Sequence, residues 1–249
     1  MLDLGYLNRL NLTMLRIYLT ITLCLFVMVE ASFAAPVTYQ AKFTIFQDND
    51  RVGQLVKTLS QVSEQTFRLQ TSSNAKLFFV KIRYDEDAIF SWDEEQIKPQ
   101  SYLRTTDTSF SAKRKTIQTF NWPSMTETGT YKDRSWDMEL TEASHSRLTD
   151  IVQFQEHLKQ AKEPIQSMAF LVHDRGSSKN ESFHFEAEDI VDTASGKYKT
   201  WRYRKTHNNP KRQSVYWFAT ELDFIPVRVQ QFKDGKEQAN MVLREIAFD

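Results

Sequence analysis

Cysteine is nearly absent from this chain of 249 residues, in which Cys24 is the single example. Cys24 lies in an N-terminal apolar run, residues 17–29, and no cysteine follows it. The rest of the chain therefore cannot form a disulfide, and its fold must be stabilised by a hydrophobic core. Leu23 stands where a lipoprotein signal needs a small residue, so the sequence does not favour a lipid anchor.

An excess of charge of either sign is also absent, because 32 Lys and Arg residues balance 32 Asp and Glu residues. A neutral chain has no overall electrostatic field that would draw it to nucleic acid, so we predict no nucleic-acid partner. Hydrophobic residues make up 41% of the chain, which is enough for a globular core and excludes general disorder.

Motifs for catalysis and for cofactor binding are missing as well. The sequence has no Gly-x-Ser-x-Gly elbow, no phosphate-binding glycine loop and no His-Glu-x-x-His helix. The histidines are scattered without ligand spacing, and the acidic clusters at residues 85–87 and 93–95 lack the glycine and the alternation of a calcium loop. We interpret both clusters as solvated turns, and we predict no metal, no cofactor and no enzymatic activity.

The N-terminal segment has the parts of a secretory signal. Two arginines precede the apolar run, which is shorter than the roughly 20 residues that a membrane-spanning helix needs. Small residues follow and fit cleavage between Ala34 and Ala35. We predict a signal peptide over residues 1–34, export to the periplasm, and one secreted β-rich domain over residues 35–249 without a transmembrane anchor. Translation from Met14 would leave the same mature chain.

Alternation of apolar and polar residues dominates the chain after the signal, which is typical of half-buried strands. Turn residues separate the alternating runs, and Asp234-Gly235 is the favoured two-residue hairpin turn. We predict a mainly β fold built on a long curved antiparallel sheet. The predicted strands lie near residues 37–45, 54–61, 65–72, 76–84, 88–92, 99–106, 113–122, 167–173, 182–190, 199–205, 213–219, 224–232 and 239–248, with a shorter pair of strands around residues 128–140.

One segment in the middle of the chain has helical periodicity. Its apolar residues recur at spacings of three and four: Leu148, Ile151, Phe154, Leu158 and Ala161. Thr149 or Asp150 is placed to cap the first amides, and Pro164 ends the run. We predict one α-helix here, in addition to the N-terminal signal helix.

A basic stretch with aromatic residues lies in the last third of the chain. Lys199, Arg202 and Arg204 could contact an anionic lipid head group if they project from the surface. Alternation also allows Trp201 and Tyr203 to pack inward while the arginines lie in water. Both interpretations remain open at the level of sequence.

The many apolar stripes raise the question of a lipid pocket. A long curved sheet has more apolar surface than one helix can cover, so its concave face could hold an apolar ligand. The sheet could equally close on itself and use these side chains as a filled core, which periodicity cannot distinguish.

Three segments of the last third resemble a bacterial envelope family, the domain-of-unknown-function 3108 family. They are residues 196–203 (Gly-Lys-Tyr-Lys-Thr-Trp-Arg-Tyr), 215–219 (Val-Tyr-Trp-Phe-Ala) and 222–229 (Leu-Asp-Phe-Ile-Pro-Val-Arg-Val). The strand and glycine from Tyr39 to Gly53 and the aspartate at Asp150 fit the same family. The resemblance covers nearly all of the mature chain and is weakest from Ser91 to Ser146.

The resemblance implies an open half-barrel similar to the LolA/LolB-like lipoprotein carriers, which hold acyl chains in their concave face. It implies no known reaction. Four residues that fit the family are expected to be structural, as a turn, a helix start, a core ring and a strand entry: Gly53, Asp150, Trp217 and Pro226.

These observations favour a periplasmic binding protein whose curved sheet accepts a lipid, a lipoprotein acyl chain or an extended peptide. The alternative from another class is a structural or interaction module that binds a second envelope protein through an edge strand or the basic stretch. A hydrolase would require His173 or His184 beside a carboxylate and a nucleophile.

Overall fold

The computed structural model describes residues 35–93, 96–207 and 209–249. The predicted signal peptide and Ala34 lie outside the described residues, and Ala35 is exposed. The chain forms fifteen strands and one helix: β1 (Tyr39–Gln47), β2 (Asp50–Ser63), β3 (Thr66–Leu77), β4 (Val80–Asp93), β5 (Gln96–Thr108), β6 (Ser111–Asn121), β7 (Thr126–Tyr131), β8 (Arg134–Glu139), β9 (Ser144–His145), α1 (Thr149–Gln160), β10 (Ser167–His173), β11 (Ser178–Thr193), β12 (Gly196–Thr206), β13 (Arg212–Ala219), β14 (Pro226–Lys233) and β15 (Lys236–Phe248).

All fifteen strands belong to one curved sheet with the order β8-β7-β6-β5-β4-β3-β2-β1-β15-β14-β13-β12-β11-β10-β9. Neighbouring strands are antiparallel except for the short parallel pair of β9 and β10. The pairing of β1 with β15 joins the two halves of the chain, while β8 and β9 remain the edges of a sheet that is not closed. This architecture confirms the predicted mainly β fold with an open, curved antiparallel sheet and one helix.

Side chains alternate between two sheet faces, and one face carries most of the buried apolar residues. On β1 the buried positions are Tyr39, Ala41, Phe43 and Ile45, and the residues between them are more exposed. We call the face with these residues the inner face and the opposite one the outer face. Burial of each large apolar side chain contributes about 1.5–3 kcal/mol, so the inner face supplies most of the stability.

The helix α1 packs its apolar side against the inner face of β10 to β13. Phe154 stacks on Phe183 of β11 with ring centroids 4.2 Å apart, and the ring of Tyr203 on β12 lies edge-on at 4.9 Å. Phe154 and Leu158 are completely buried in this cluster, which confirms the predicted helix and its apolar side. No helix among the described residues is long and apolar enough to cross a membrane.

The predicted capping of α1 by Thr149 or Asp150 is wrong. Leu148 occupies the cap position without a capping bond from its own side chain, and the amide of Thr149 donates to the Ser146 hydroxyl at 3.4 Å. The Thr149 hydroxyl instead bonds to Ser146, while the buried Asp150 carboxylate pairs with Lys205 of β12. Asp150 is therefore recruited by a distant strand, because a buried carboxylate is stabilised more by a cation than by backbone amides.

Three predictions about the first half of the sheet are also wrong. Residues 76–84 are not one strand, because Phe78 and Phe79 form the turn between β3 and β4. Residues 88–92 belong to the end of β4, which continues without interruption to Asp93. Gly53 lies within β2 rather than in a turn, where an added Cβ would stand 2.2 Å from the carbonyl oxygen of Asn74.

Candidate functional site

The predicted head-group residues occupy β12, and two of the three are already paired with carboxylates. Arg202 lies 2.9 Å from Asp189 and 3.2 Å from Glu186, and Arg204 lies 2.5 Å from the same glutamate. Lys199 is exposed, and the structure gives it no ion pair with the described residues. The strand does not alternate as simply as the sequence suggests: Arg202 and Arg204 are both half-buried, and β11 has a bulge between Phe185 and Ala187, opposite Tyr203 and Arg202.

The structure divides the histidines considered for a hydrolase between two separate places. His173 is buried, and its Nδ1 lies 2.7 Å from the Glu127 carboxylate. No hydroxyl among the described residues bonds to the Nε2 of this histidine. His184 of β11 lies 3.1 Å from the hydroxyl of Ser167 on β10, and both residues are exposed. His173 therefore has a carboxylate partner and His184 a hydroxyl partner, and these residues do not assemble a complete catalytic triad.

The acidic cluster at residues 85–87 is not the solvated turn that we predicted, because it lies in the middle of β4. Asp87 forms a two-pronged ion pair with Arg68, and Asp85 pairs with Arg83. The residues at 94 and 95 of the second cluster lie outside the described residues. Within the described parts of the chain, no three metal-ligating side chains surround a common point.

Glu86 points to the inner face from the same strand. Its carboxylate accepts hydrogen bonds from the hydroxyls of Tyr84, at 2.8 Å, and Tyr102. Burial raises the pKa of both tyrosines, and the negative charge of Glu86 raises them further. These hydroxyls therefore stay protonated and act as donors to the carboxylate.

Lys57 lies in the same row of the inner face, two strands away. Its cross-strand neighbour on β3 is Thr71, whose neighbour on β4 is Glu86. The side chain of Lys57 is half-buried, and it makes no ion pair within 4.0 Å and no hydrogen bond with the described residues. Burial lowers the pKa of Lys57 to about 8, although the charges of Glu86 and Asp150 favour its protonated form.

The second inner-face lysine, Lys205, has the opposite environment. It is fully buried, and its ammonium group contacts Asp150 and lies 2.9 Å from Glu181. Burial alone would lower the pKa of Lys205, but the two carboxylates outweigh it and raise the pKa. His207 also lies 3.1 Å from Glu181, so the ammonium group of Lys205 sits in a cluster that already supplies its carboxylate partners. A partly buried cation without such partners, as at Lys57, is the kind of group that is found at binding sites.

An apolar surface leads from Lys57 along the strands towards the end of the sheet that holds the turn between β3 and β4. The surface consists of six apolar residues of β1 to β4 that lie on the inner face in successive rows of cross-strand neighbours. All are buried or half-buried: Phe43, Leu55, Ala75, Ile82, Leu77 and Val80. We call this set the inner apolar strip. Leu77 is six positions along β3 from Thr71, the neighbour of Lys57, which corresponds to about 20 Å along a strand.

The inner apolar strip ends at the turn between β3 and β4, where two phenylalanines face solvent. Phe78 is 92% exposed and Phe79 is 87% exposed, and Phe110 in the adjacent turn between β5 and β6 is 78% exposed. We call these three residues the aromatic edge. Phe78 has a φ of 53°, a conformation that costs an ordinary L-residue about 1–2 kcal/mol and favours Gly or Asn. The fold therefore keeps a strained, exposed phenylalanine that adds nothing to its core.

A groove of about 520 Å³ opens on the outer face beside the aromatic edge. Lys76 on β3 and Lys81 on β4 are cross-strand neighbours at this groove. Arg83 on β4 and its cross-strand neighbour Asp107 on β5 also line it. Lys76 and Lys81 have no carboxylate within 4.0 Å among the described residues. We call this feature the cationic groove, and its surroundings attract anions.

The sequence did not predict Lys57, the aromatic edge or the cationic groove as functional features. One local signal was available, because Leu77, Phe78, Phe79 and Val80 are four consecutive apolar residues between two lysines. Strict alternation ends at that point, which indicates a turn rather than the middle of a strand. Nothing in the sequence near Lys57 indicates that its partners are missing, because its neighbours come from other strands.

The comparisons with known proteins support the fold and a family. The model of a family described as "Protein of unknown function (DUF3108)" matches residues 37–243. No curated protein sequence matches the chain. A solved β-barrel-like protein of the domain of unknown function DUF1849 from Brucella abortus is similar in fold, with a TM-score of 0.59 and 8% identity over 87% of this chain and 99% of that one.

A second solved structure is a protein with a YmcC-like fold from Bacteroides fragilis. Its TM-score is 0.32 and its identity 9%, over 86% of this chain and 98% of that one. The likeness to lipoprotein carriers, implied by the sequence resemblance, is not confirmed by these structures and stays a prediction.

Proposed function

Because the chain belongs to the DUF3108 family, whose description assigns no activity, we propose from its own site that it is a non-catalytic binding protein for an amphiphile. The ligand class is an apolar tail with a carboxylate or phosphate head group. Lys57 carries this proposal, because it is a half-buried cation on the inner face without an ion pair or hydrogen bond among the described residues. An anionic head group would provide the partner that the fold omits.

The inner apolar strip supports the other half of the ligand. Phe43 is 4% exposed, whereas Leu55, Leu77 and Ile82 retain half-buried surface that a tail can cover. A head group at Lys57 would direct an extended tail along the strip towards the turn at Phe78. Each methylene that the strip removes from water contributes about 0.8 kcal/mol, so the tail would supply most of the affinity.

The neighbouring carboxylates favour a ligand at Lys57 rather than at another basic residue. Glu86 already accepts two tyrosine hydroxyls, and Asp150 is paired with Lys205. Neither one therefore neutralises Lys57. The buried alternative, Lys205, is already held by Asp150 and Glu181. An incoming anion thus finds at Lys57 an amine that has no ion pair among the described residues.

The test is a calorimetric titration of the purified protein with dodecanoate below its micellar concentration. We expect saturable binding, whereas dodecyltrimethylammonium, with the same tail and a cationic head, should bind at least about tenfold more weakly because it meets Lys57. Lys57→Met should weaken dodecanoate binding by about tenfold or more. Lys115→Met, on an exposed outer position of β6, is the matched control and should change affinity by less than about twofold.

Absence of saturable dodecanoate binding to the wild-type protein would overturn the proposal and favour an interaction module of the envelope. Equal affinity of the wild-type and Lys57→Met proteins would remove Lys57 from the site. A titration with a short apolar peptide that has a free carboxylate at its end distinguishes a peptide ligand from an acyl ligand. The wild type should prefer the single-chain amphiphile, because the strip follows one line of rows on the sheet.

We also propose that the protein works in the periplasm, after removal of residues 1–34. The support is the arrangement of charged, apolar and small residues in the sequence before Ala35. Intact-mass measurement of protein isolated from the periplasmic fraction should give a chain that begins at Ala35. A full-length mass, or recovery in the cytoplasmic fraction alone, would contradict this assignment.

A further inference from the structure

The aromatic edge differs from the other turns on its side of the sheet. Because neighbouring strands alternate in direction, the turns after β1, β3, β5 and β7 all lie at the same end of the strands. The first turn contains Asp48 and Asn49, and the last contains Lys132 and Asp133. The two middle turns instead expose phenylalanines, at Phe78 and Phe79 and at Phe110. Exposed apolar side chains are therefore concentrated at two adjacent protrusions.

Two hydrogen bonds connect these protrusions. The Lys81 amide donates to the Ser109 hydroxyl at 2.9 Å, and the Ser109 amide donates to the Lys81 carbonyl at 3.1 Å. Lys81 is the second residue of β4, two residues after Phe79, and Ser109 directly precedes Phe110. The three phenylalanines are thus held on one side of the molecule and can enter the same partner together.

Cationic side chains surround the aromatic edge. The strand ends that flank the two turns, residues 76–84 and 107–116, carry one acidic residue, Asp107, and six exposed basic ones: Lys76, Lys81, Arg83, Lys113, Arg114 and Lys115. Arg83 is paired with Asp85, and the other five have no carboxylate within 4.0 Å among the described residues. This local excess of positive charge contrasts with the neutral chain as a whole.

We propose that the aromatic edge docks onto the surface of an anionic lipid bilayer. Phe78, Phe79 and Phe110 enter the boundary between head groups and acyl chains, and the surrounding cations contact anionic head groups. Aromatic side chains favour this boundary, and lysines extend their ammonium groups to the head groups while their stems stay apolar.

The arrangement favours a bilayer over a protein partner. A protein interface needs a continuous, closely packed patch, whereas these rings stand on two separate turns and are each almost completely exposed. A bilayer accepts separate protrusions, because its lipids adjust around each one. Positive charge around the rings matches the negative potential of a membrane that contains anionic lipids.

This inference goes beyond ligand binding on the inner face, although the two surfaces meet. Leu77 and Val80, at the end of the inner apolar strip, flank Phe78 and Phe79 directly. A docked aromatic edge would place the open end of the strip at the bilayer surface. The strip could then exchange an amphiphile with the membrane without exposing the tail to water.

The test is co-sedimentation of the full protein with vesicles. We expect binding to phosphatidylcholine vesicles that contain phosphatidylglycerol and at least about tenfold weaker binding to pure phosphatidylcholine. Raising the salt concentration from about 0.1 M to about 1 M should weaken the binding, because screening shortens the electrostatic range. Phe79→Trp adds an exposed tryptophan, whose fluorescence should shift to the blue and be quenched by brominated lipid.

Matched variants identify the surface. Serine at all three positions (Phe78→Ser, Phe79→Ser, Phe110→Ser) should weaken vesicle binding by about 100-fold. Serine at three other exposed apolar residues (Val62→Ser, Ile190→Ser, Phe248→Ser) should leave it unchanged. For charge, Lys76→Gln, Lys81→Gln and Lys113→Gln together should weaken binding, whereas Lys162→Gln, Lys179→Gln and Lys199→Gln together should not. Thermal unfolding confirms that each variant is folded.

Failure of the wild-type protein to bind anionic vesicles would overturn the inference and assign the aromatic edge to a protein partner. Unchanged binding of the Phe78, Phe79 and Phe110 triple variant, or no fluorescence shift at position 79, would overturn it as well. The dodecanoate titration on the same triple variant separates the two proposals. Retained dodecanoate affinity with lost vesicle binding supports docking through the aromatic edge, independently of the inner-face site.

Discussion

Two lysines on the inner face, Lys205 and Lys57, show how differently the two halves of the sheet treat a charge. Lys205 lies in the half whose strands β10 to β13 form an aromatic core with α1, and its ammonium group pairs with Asp150 and Glu181. Lys57 lies in the half formed by β1 to β8, where no carboxylate comes within 4.0 Å among the described residues. The ion pairs of Lys205 stabilise the fold, whereas the ammonium group of Lys57 can still form an ion pair with a ligand.

Phenylalanines repeat this contrast between the halves. Phe154 and Phe183 stack in the core between α1 and β11, where both are completely buried. Phe78 and Phe79 lie in water at the turn between β3 and β4, and Phe78 adopts a strained conformation. Residues that lower stability without a structural role are found at functional sites. We therefore expect the functional site in the half formed by β1 to β8.

The core of the C-terminal half should respond most strongly to mutation. Phe154→Ala removes a ring that contacts four other aromatic side chains, and we expect a loss of about 4 kcal/mol in the free energy of unfolding. Phe79→Ala should change it by less than about 0.5 kcal/mol, because that ring is exposed. Urea unfolding followed by circular dichroism measures both. Similar losses for the two variants would contradict the division between the halves.

The two lysines should respond in opposite ways to loss of charge. Lys205→Met leaves Asp150 and Glu181 buried without a cation, so we expect a loss of about 3 kcal/mol. Lys57→Met removes an unpaired cation and should be neutral or stabilising by up to about 1 kcal/mol. The same urea titration provides the measurement.

A further variant tests whether the Lys205 result reflects charge. Neutralising the whole cluster, with Lys205→Met, Asp150→Asn and Glu181→Gln together, should recover a large part of the stability lost in Lys205→Met. A triple variant that is less stable than the single one would show that packing, rather than charge, determines the Lys205 result.

Stability should also depend on pH through Lys57. Its pKa is lowered from 10.5 to about 8, so between these values the unfolded chain binds more protons at this residue than the folded one. The contribution of Lys57 to stability therefore rises with pH from about 8 to 10.5, by about 2 kcal/mol after allowance for its partial exposure. The difference in unfolding free energy between wild type and Lys57→Met, measured across this range, isolates the effect. A difference that stays constant with pH would contradict it.

The smallest expected change concerns the strained turn. Phe78→Asn should stabilise the protein by about 1 kcal/mol, because Asn adopts a positive φ more readily than Phe. Phe79→Asn is the control, since residue 79 has no positive φ, and it should not be stabilising. Thermal unfolding would resolve this difference. Stabilisation by both variants would attribute the gain to solubility of the turn rather than to its backbone.

Much of the fold could be predicted because its signals are local. The alternation from Tyr39 to Ile45 and the periodicity from Leu148 to Leu158 follow directly from burial of one side of a strand or helix, and the structure has both elements. The turn at Asp234-Gly235 was also predictable, because its two residues adopt the positive φ values that such a turn requires.

The candidate site was mostly beyond prediction from the sequence. Lys199, Arg202 and Arg204 were singled out because they are close in the sequence, but Glu186 and Asp189 from β11 neutralise the two arginines. The turn at Phe78 was interpreted as strand because phenylalanine favours strands and disfavours positive φ. Local propensity and actual conformation disagree there, and that disagreement itself indicates function.

The sequence by itself determined the alternating strands, the helix over Thr149–Gln160 and the family, because each of these depends on residues that are neighbours along the chain. Only the tertiary structure decided which charges meet. Asp150 and Lys205 are 55 residues apart and pair because α1 packs on β12, while Lys57 remains unpaired because Thr71 stands between it and Glu86. Long-range strand pairing sets these environments, and it depends on the whole sheet rather than on any local segment.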